Sequence, residues 1–71
     1  MWAIVECSED VISSPPSVKI AKTENDALIL ASAMGCEINQ DASYFSVAES
    51  LREHKQYSGN GMRVFIVKAS E

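Results

Sequence analysis

The chain has 71 residues, a net charge of −4 at pH 7 and an apolar fraction of 46%, values typical of a globular protein and not of a disordered one. This length predicts a single compact domain over residues 1–71. The acidic balance argues against general attraction to nucleic acid or to an anionic membrane. The longest apolar run is far shorter than the ~20 residues that span a bilayer, so we expect a cytoplasmic protein.

Two short strands are predicted in the first third of the chain. Residues 1–7 include Trp2, Ile4 and Val5, which suit a pleated surface, and the run Ala3-Ile4-Val5 is apolar on both faces. The segment 18–22 alternates apolar residues with lysines and follows two prolines. Prolines and outward lysines are typical of an edge strand that resists further pairing.

Residues 24–34 predict a helix with recognisable ends. Thr23 stands at the N-cap position with acidic residues in the first turn, and Gly35 stands where a left-handed C-cap is expected. From Ala27 to Met34 the only polar residue is Ser32. A helix that is apolar nearly all round must be covered on several sides, and a second copy or a partner is one source of that cover.

Residues 44–57 fit two structures. As a strand, the segment places Phe45 and Val47 on one side, and this interpretation is preferred for its first half. As a helix, it begins with a capping-box pattern at Ser46. The alternative to a third strand is therefore a second short helix at 46–57.

The end of the chain predicts a β-hairpin. Asn60-Gly61 is the strongest short hairpin signal, and residues 62–69 form its return strand. Within that strand, residues 64–67 are consecutive apolar β-formers, which favours a central strand covered on both faces.

Together these elements predict an α+β fold with the order β-β-α-β-β. The fold is a small antiparallel sheet with one apolar helix packed across one face. The strands at the two ends of the chain take the centre, and the strand after the prolines takes an edge. A single helix covers only one face of such a sheet, so we expect a homodimer.

The sequence offers no constellation of residues for catalysis. His54 lies among charged residues, and Cys7 and Cys36 are far apart and lack a flanking nucleophile signature. One histidine, two distant cysteines and scattered acids match no metal-ligand spacing. We therefore expect no enzyme activity, no catalytic residue, no metal and no cofactor.

The basic hairpin at 52–63 supports an alternative function. Bases with an interleaved aromatic residue suit nucleic-acid contact, with cations on phosphate and an aromatic ring stacked on a base. The candidate contact residues are Arg52, Lys55, Tyr57 and Arg63.

The preferred function is that of a small acidic interaction module that binds another protein. Its size and lack of catalytic motifs suit an accessory protein or inhibitor of the kind that phages and mobile elements carry. Aromatic and large apolar side chains are enriched in the centres of interfaces. The predicted contact residues are Trp2, Ile29, Leu30, Tyr44 and Phe45.

Overall fold

A computed structural model describes residues 1–8 and 16–69. The elements are β1 (Trp2–Ser8), β2 (Ser17–Ala21), α1 (Glu24–Ile38), α2 (Tyr44–His54), β3 (Gln56–Gly59) and β4 (Met62–Lys68). The predicted α+β class is confirmed, with one helix more than the preferred order.

The four strands form one antiparallel sheet in the order β2-β1-β4-β3. The strands from the two ends of the chain therefore lie in the centre, and β2 lies at an edge, as their apolar patterns predict. In β4, Val64 and Ile66 are buried on one face, whereas Phe65 and Val67 point to the other.

Helix α1 begins where the sequence predicts but ends later. The Thr23 hydroxyl accepts a hydrogen bond of 3.1 Å from the backbone N–H of Asp26, which confirms the N-cap. The expected C-cap at Gly35 is wrong, because the helix continues to Ile38 and its C-cap is Asn39. Gly35 instead lies where α2 comes closest: a Cβ there would collide with Val47 Cγ1 and lie 3.2 Å from Tyr57 Cδ2.

The strand preferred for the first half of 44–57 is wrong, and the helical alternative is correct in kind. Helix α2 begins earlier than that alternative, because the N-cap is Ser43, whose hydroxyl accepts from Ser46 N–H at 3.1 Å. The helix ends at Lys55, which adopts a left-handed conformation with φ of 61°. Val47 and Leu51 lie one turn apart and are fully buried. The burial of this pair explains why the helix is favoured.

Both helices lie on the same face of the sheet. Helix α1 crosses β1 and β4, and α2 packs against α1 and β3. The core between these layers consists of Ile4, Ala21, Ala27, Ala31, Met34, Val47, Leu51, Val64 and Ile66. In the part of the chain that the structure describes, no helix covers the opposite face.

The predicted hairpin is confirmed. Gly59 pairs with Met62, and the two residues between them, Asn60 and Gly61, have φ of 52° and 77°. Two positive φ values are the signature of a type I′ turn, whose twist matches that of the strands. The Asn60 amide also donates a 2.7 Å hydrogen bond to the Ile38 carbonyl, which ties the turn to the end of α1.

Gly35→Ala should destabilise the protein. The added methyl group meets Val47, and overpacking of this kind costs about 1–3 kcal/mol, more than the ~1 kcal/mol that alanine gains in helix propensity. Urea unfolding measures the change. In a Val47→Ala background the same substitution should cost less; equal costs in both backgrounds would contradict the close contact between the helices.

Gly61→Val should also destabilise the protein, for a different reason. Nothing lies within 4 Å of a Cβ at this position, so the cost comes from the backbone alone. A β-branched residue at φ of 77° costs about 1–3 kcal/mol. Gly61→Asn is the matched control, since asparagine tolerates the left-handed region. Thermal melting should show a lower Tm for valine than for asparagine.

Candidate protein-interaction surfaces

The sheet face opposite the helices is largely apolar. Because paired residues of neighbouring strands share a face, the register defines its members. We call this surface the open sheet face. Its described residues are Ala3, Val5, Cys7, Val18, Ile20, Gln56, Ser58, Arg63, Phe65 and Val67.

The most exposed apolar residues of the open sheet face were not predicted as contact residues. Val18 is 58% exposed, Ile20 56% and Val67 45%. The alternation in β2 was interpreted as lysines facing outward, but it is Val18 and Ile20 that point away from the helices. An alternating pattern of apolar and polar residues indicates that a strand has two different faces, but it does not indicate which of them a helix covers.

Charge is distributed unevenly between the two faces of the sheet. Among the described residues, Arg63 is the one charged side chain on the open sheet face. The described acidic residues lie in the helices, in their connection, or, as with Glu6, on the sheet face beneath them. The acidic side chains that the structure describes thus lie on the helical side of the sheet.

The helical layer exposes two aromatic residues at the start of α2. Phe45 is 74% exposed and Tyr44 50% exposed, and we call this pair the aromatic corner. On α1, Ile29 and Leu30 are 51% and 38% exposed, because α2 and the sheet cover other sides of that helix. Trp2 differs from these four predicted contact residues: it is half-buried and packs against the core.

The predicted nucleic-acid contacts are distributed over both faces of the sheet, and two of them, Lys55 and Arg63, line one groove. Arg52 is exposed on α2, whereas Lys55 pairs with Glu24 at 2.7 Å and lies 5.9 Å from the centre of the Trp2 ring. The Tyr57 ring is half-buried beside Gly35, and its hydroxyl accepts a 3.0 Å hydrogen bond from the Asn39 amide. Arg63 lies on the opposite face of the sheet from Tyr57.

The three candidate catalytic side chains lie apart. Cys7 is on the open sheet face and Cys36 is on α1, so the sheet separates the two free thiols. His54 is exposed at the end of α2, where its Nε2 lies 3.9 Å from Oε2 of Glu53. None of the three is placed to act on another.

Two grooves flank Phe65 on the open sheet face. One has a volume of about 310 Å³ and is lined by Cys7, Ser8, Arg63 and Phe65. The other, of about 400 Å³, extends towards His54 and Gln56. Within residues 1–8 and 16–69, no three side chains of metal-binding type come together, and neither helix has the length and apolar character needed to cross a bilayer.

Comparison of the chain with protein-family models, with curated proteins and with solved structures gives no match. The functional argument therefore depends on the geometry of the molecule itself.

The triple variant Cys7→Ala, Cys36→Ala, His54→Ala should fold and retain biological activity. The two thiols are separated by the sheet, and the imidazole lies on the helical side, so no catalytic unit is lost. Far-UV circular dichroism checks the fold and an in vivo activity assay checks the function. A folded variant without activity would reopen the possibility of an enzyme.

Proposed function

We propose that this protein is a non-catalytic interaction module that binds another protein through its aromatic corner. The observation that carries this proposal is the exposure of Phe45, which at 74% is the most exposed large apolar side chain described. Burying a phenylalanine ring stabilises a protein by about 1.5–3 kcal/mol. Because the ring is mostly exposed, its own chain provides little of this stabilisation. A partner with an apolar pocket would provide the remainder by burying the ring.

The fold does not require an aromatic residue at position 45. Helix α2 is held in place by Val47 and Leu51, which are buried, and Phe45 lies on the other side of the helix. The ring therefore contributes little to the core. An exposed aromatic residue with no packing role is the kind of side chain that anchors protein interfaces.

The aromatic corner is presented on a well-anchored helix. Ser43 caps its first turn, and the salt bridge between Lys55 and Glu24 joins its end to the start of α1. Little conformational freedom is therefore lost at this site on binding, which favours affinity. Glu49 and Arg52 lie one and two turns beyond Phe45 on the same exposed side of α2. They place one negative and one positive side chain along the helix beyond the ring, which suits a partner surface with an apolar pocket and a polar edge.

The same arrangement favours a protein partner over a nucleic acid. Stacking on a base needs an accessible aromatic face near cations, but the Tyr57 ring is half-buried and Arg63 lies on the far side of the sheet. The acidic residues that the structure describes lie on the same side of the sheet as the aromatic corner, and they repel phosphate.

Phe45→Ala should strongly weaken binding to the partner. Tagged wild-type protein captures partners from the source cells, and each captured protein is then purified and titrated against the variants by calorimetry. Loss of an anchor ring costs about 2 kcal/mol or more, equivalent to a ~30-fold rise in Kd. The control is Val18→Ala on the opposite layer, which should leave this Kd unchanged.

Two further results separate the alternatives. Charge reversal at Arg63, which lies on the opposite face of the sheet, should not weaken the complex; if it does, and if the captured ligand is a nucleic acid whose affinity falls steeply with salt, the nucleic-acid alternative replaces this proposal. If Phe45→Ala binds every purified partner as tightly as the wild type, the aromatic corner is not the binding site.

A further inference from the structure

We propose that the open sheet face binds a second copy of this chain, face to face, in a symmetric dimer. Two sheets that pack on their faces lie ~10 Å apart with their strands within about 30° of each other. The result is a four-layer arrangement, with the two sheets inside and the two pairs of helices outside. This inference does not depend on the aromatic corner, which lies on the other layer.

The open sheet face is made like half of a protein core. One row across the strands is Ile20, Ala3 and Val67, and the next is Val18, Val5 and Phe65. Both rows are apolar over three adjacent strands, yet Ile20 and Val18 are more than half exposed. Only an apolar surface of similar shape removes these rows from water, and the same face of another copy is such a surface.

The near absence of charged side chains favours a copy that approaches on this face. Arg63 is the one charged side chain that the structure describes on the open sheet face, whereas the other described charged residues, acidic and basic, lie in the helices, in the connections or on the sheet face beneath the helices. Face-to-face packing thus takes few charged groups out of water, whereas packing through the helices would desolvate many.

The size of the face fits a reversible dimer. Four strands ~4.8 Å apart, with five, seven, seven and four residues at ~3.3 Å each, give a face of roughly 360 Å². Two such faces present about 730 Å² in projection, and the accessible area is larger because side chains stand above the sheet. This lies below the ~1,200 Å² lower limit of standard interfaces, which is consistent with a weak dimer whose Kd is on the order of 1–100 μM.

The edges of the sheet are poorly suited to a second copy. Strand β2 has five residues, follows Pro16 and carries Lys19, and β3 has only four residues. Short, charged edges resist pairing with another strand. A second copy is therefore expected on the face of the sheet and not along its edge.

Sedimentation equilibrium between ~1 and ~500 μM tests this inference. The wild-type mass should rise from the 7.8 kDa of the monomer towards twice that value. Because the interface is apolar, the dimer should persist in 0.5 M NaCl, where contacts between exposed charges are largely screened (Debye length below ~5 Å). A wild-type protein that stays monomeric over the whole range, or a dimer that dissociates in salt, overturns the proposal.

A matched pair of variants assigns the face. Ile20→Glu on the open sheet face should raise the dimer Kd at least tenfold, because it places a carboxylate in an apolar interface. Ile29→Glu introduces the same change at a similarly exposed isoleucine of α1 and should leave the dimer intact. The opposite result, loss of the dimer with Ile29→Glu alone, places the interface on the helices and overturns the assignment.

Folding of these variants is checked by far-UV circular dichroism. If Ile20→Glu unfolds, Val67→Ser replaces it, since Val67 lies in the same row and is 45% exposed. A dimer Kd of Val67→Ser within twofold of the wild-type value would count against the open sheet face as the interface. Phe45→Ala should not change the mass at any concentration. The proposed dimer and the proposed partner complex are therefore tested by separate measurements, and either proposal can be overturned without the other.

Discussion

The structure depends on the close approach of α2 to α1 at Gly35. The missing Cβ lets Val47 sit against the backbone of α1, and the Tyr57 ring packs at the same point. Two hydrogen bonds extend this junction to the hairpin, one between Asn39 and Tyr57 and one from the Asn60 amide to the Ile38 carbonyl. One contact thus positions the second helix, the edge strand β3 and the turn.

This junction also divides the molecule into two unequal surfaces. With both helices on one face of the sheet, the core forms between sheet and helices, and the opposite face keeps its apolar rows in contact with water. A chain of this size buries only about 60% of the surface that it exposes when unfolded. An uncovered face is therefore a large share of what the protein has left to bury.

The two proposals assign different tasks to the two layers. The aromatic corner offers a rigid ring on a capped helix for a partner, and the open sheet face offers a broad apolar area for a second copy. A face-to-face dimer carries two aromatic corners on its outer layers, so a partner with repeated sites gains affinity from binding both. The charged side chains of the helical layers remain on the outside of such a dimer.

The sequence by itself determined the features that depend on neighbouring residues. The Thr23 cap, the Asn60-Gly61 turn, the central position of β4 and the edge position of β2 follow from local chemistry and from short apolar patterns. Local chemistry also left two structures open for residues 44–57. The choice between them depended on burial of Val47 and Leu51 against α1, which is a long-range contact.

Only the tertiary structure decided which side chains face water. Phe45 shares a side with Val47 in a strand but lies on the opposite side in a helix, so its exposure follows from the helix. Glycine is favoured at helix ends, so the sequence predicted a helix end at Gly35. The structure shows that Gly35 lies inside α1, where the absence of a side chain allows α2 to come close. The spacing of Val18 and Ile20 is that of two residues on the buried face of a strand. They are exposed because both helices pack on the other face of the sheet.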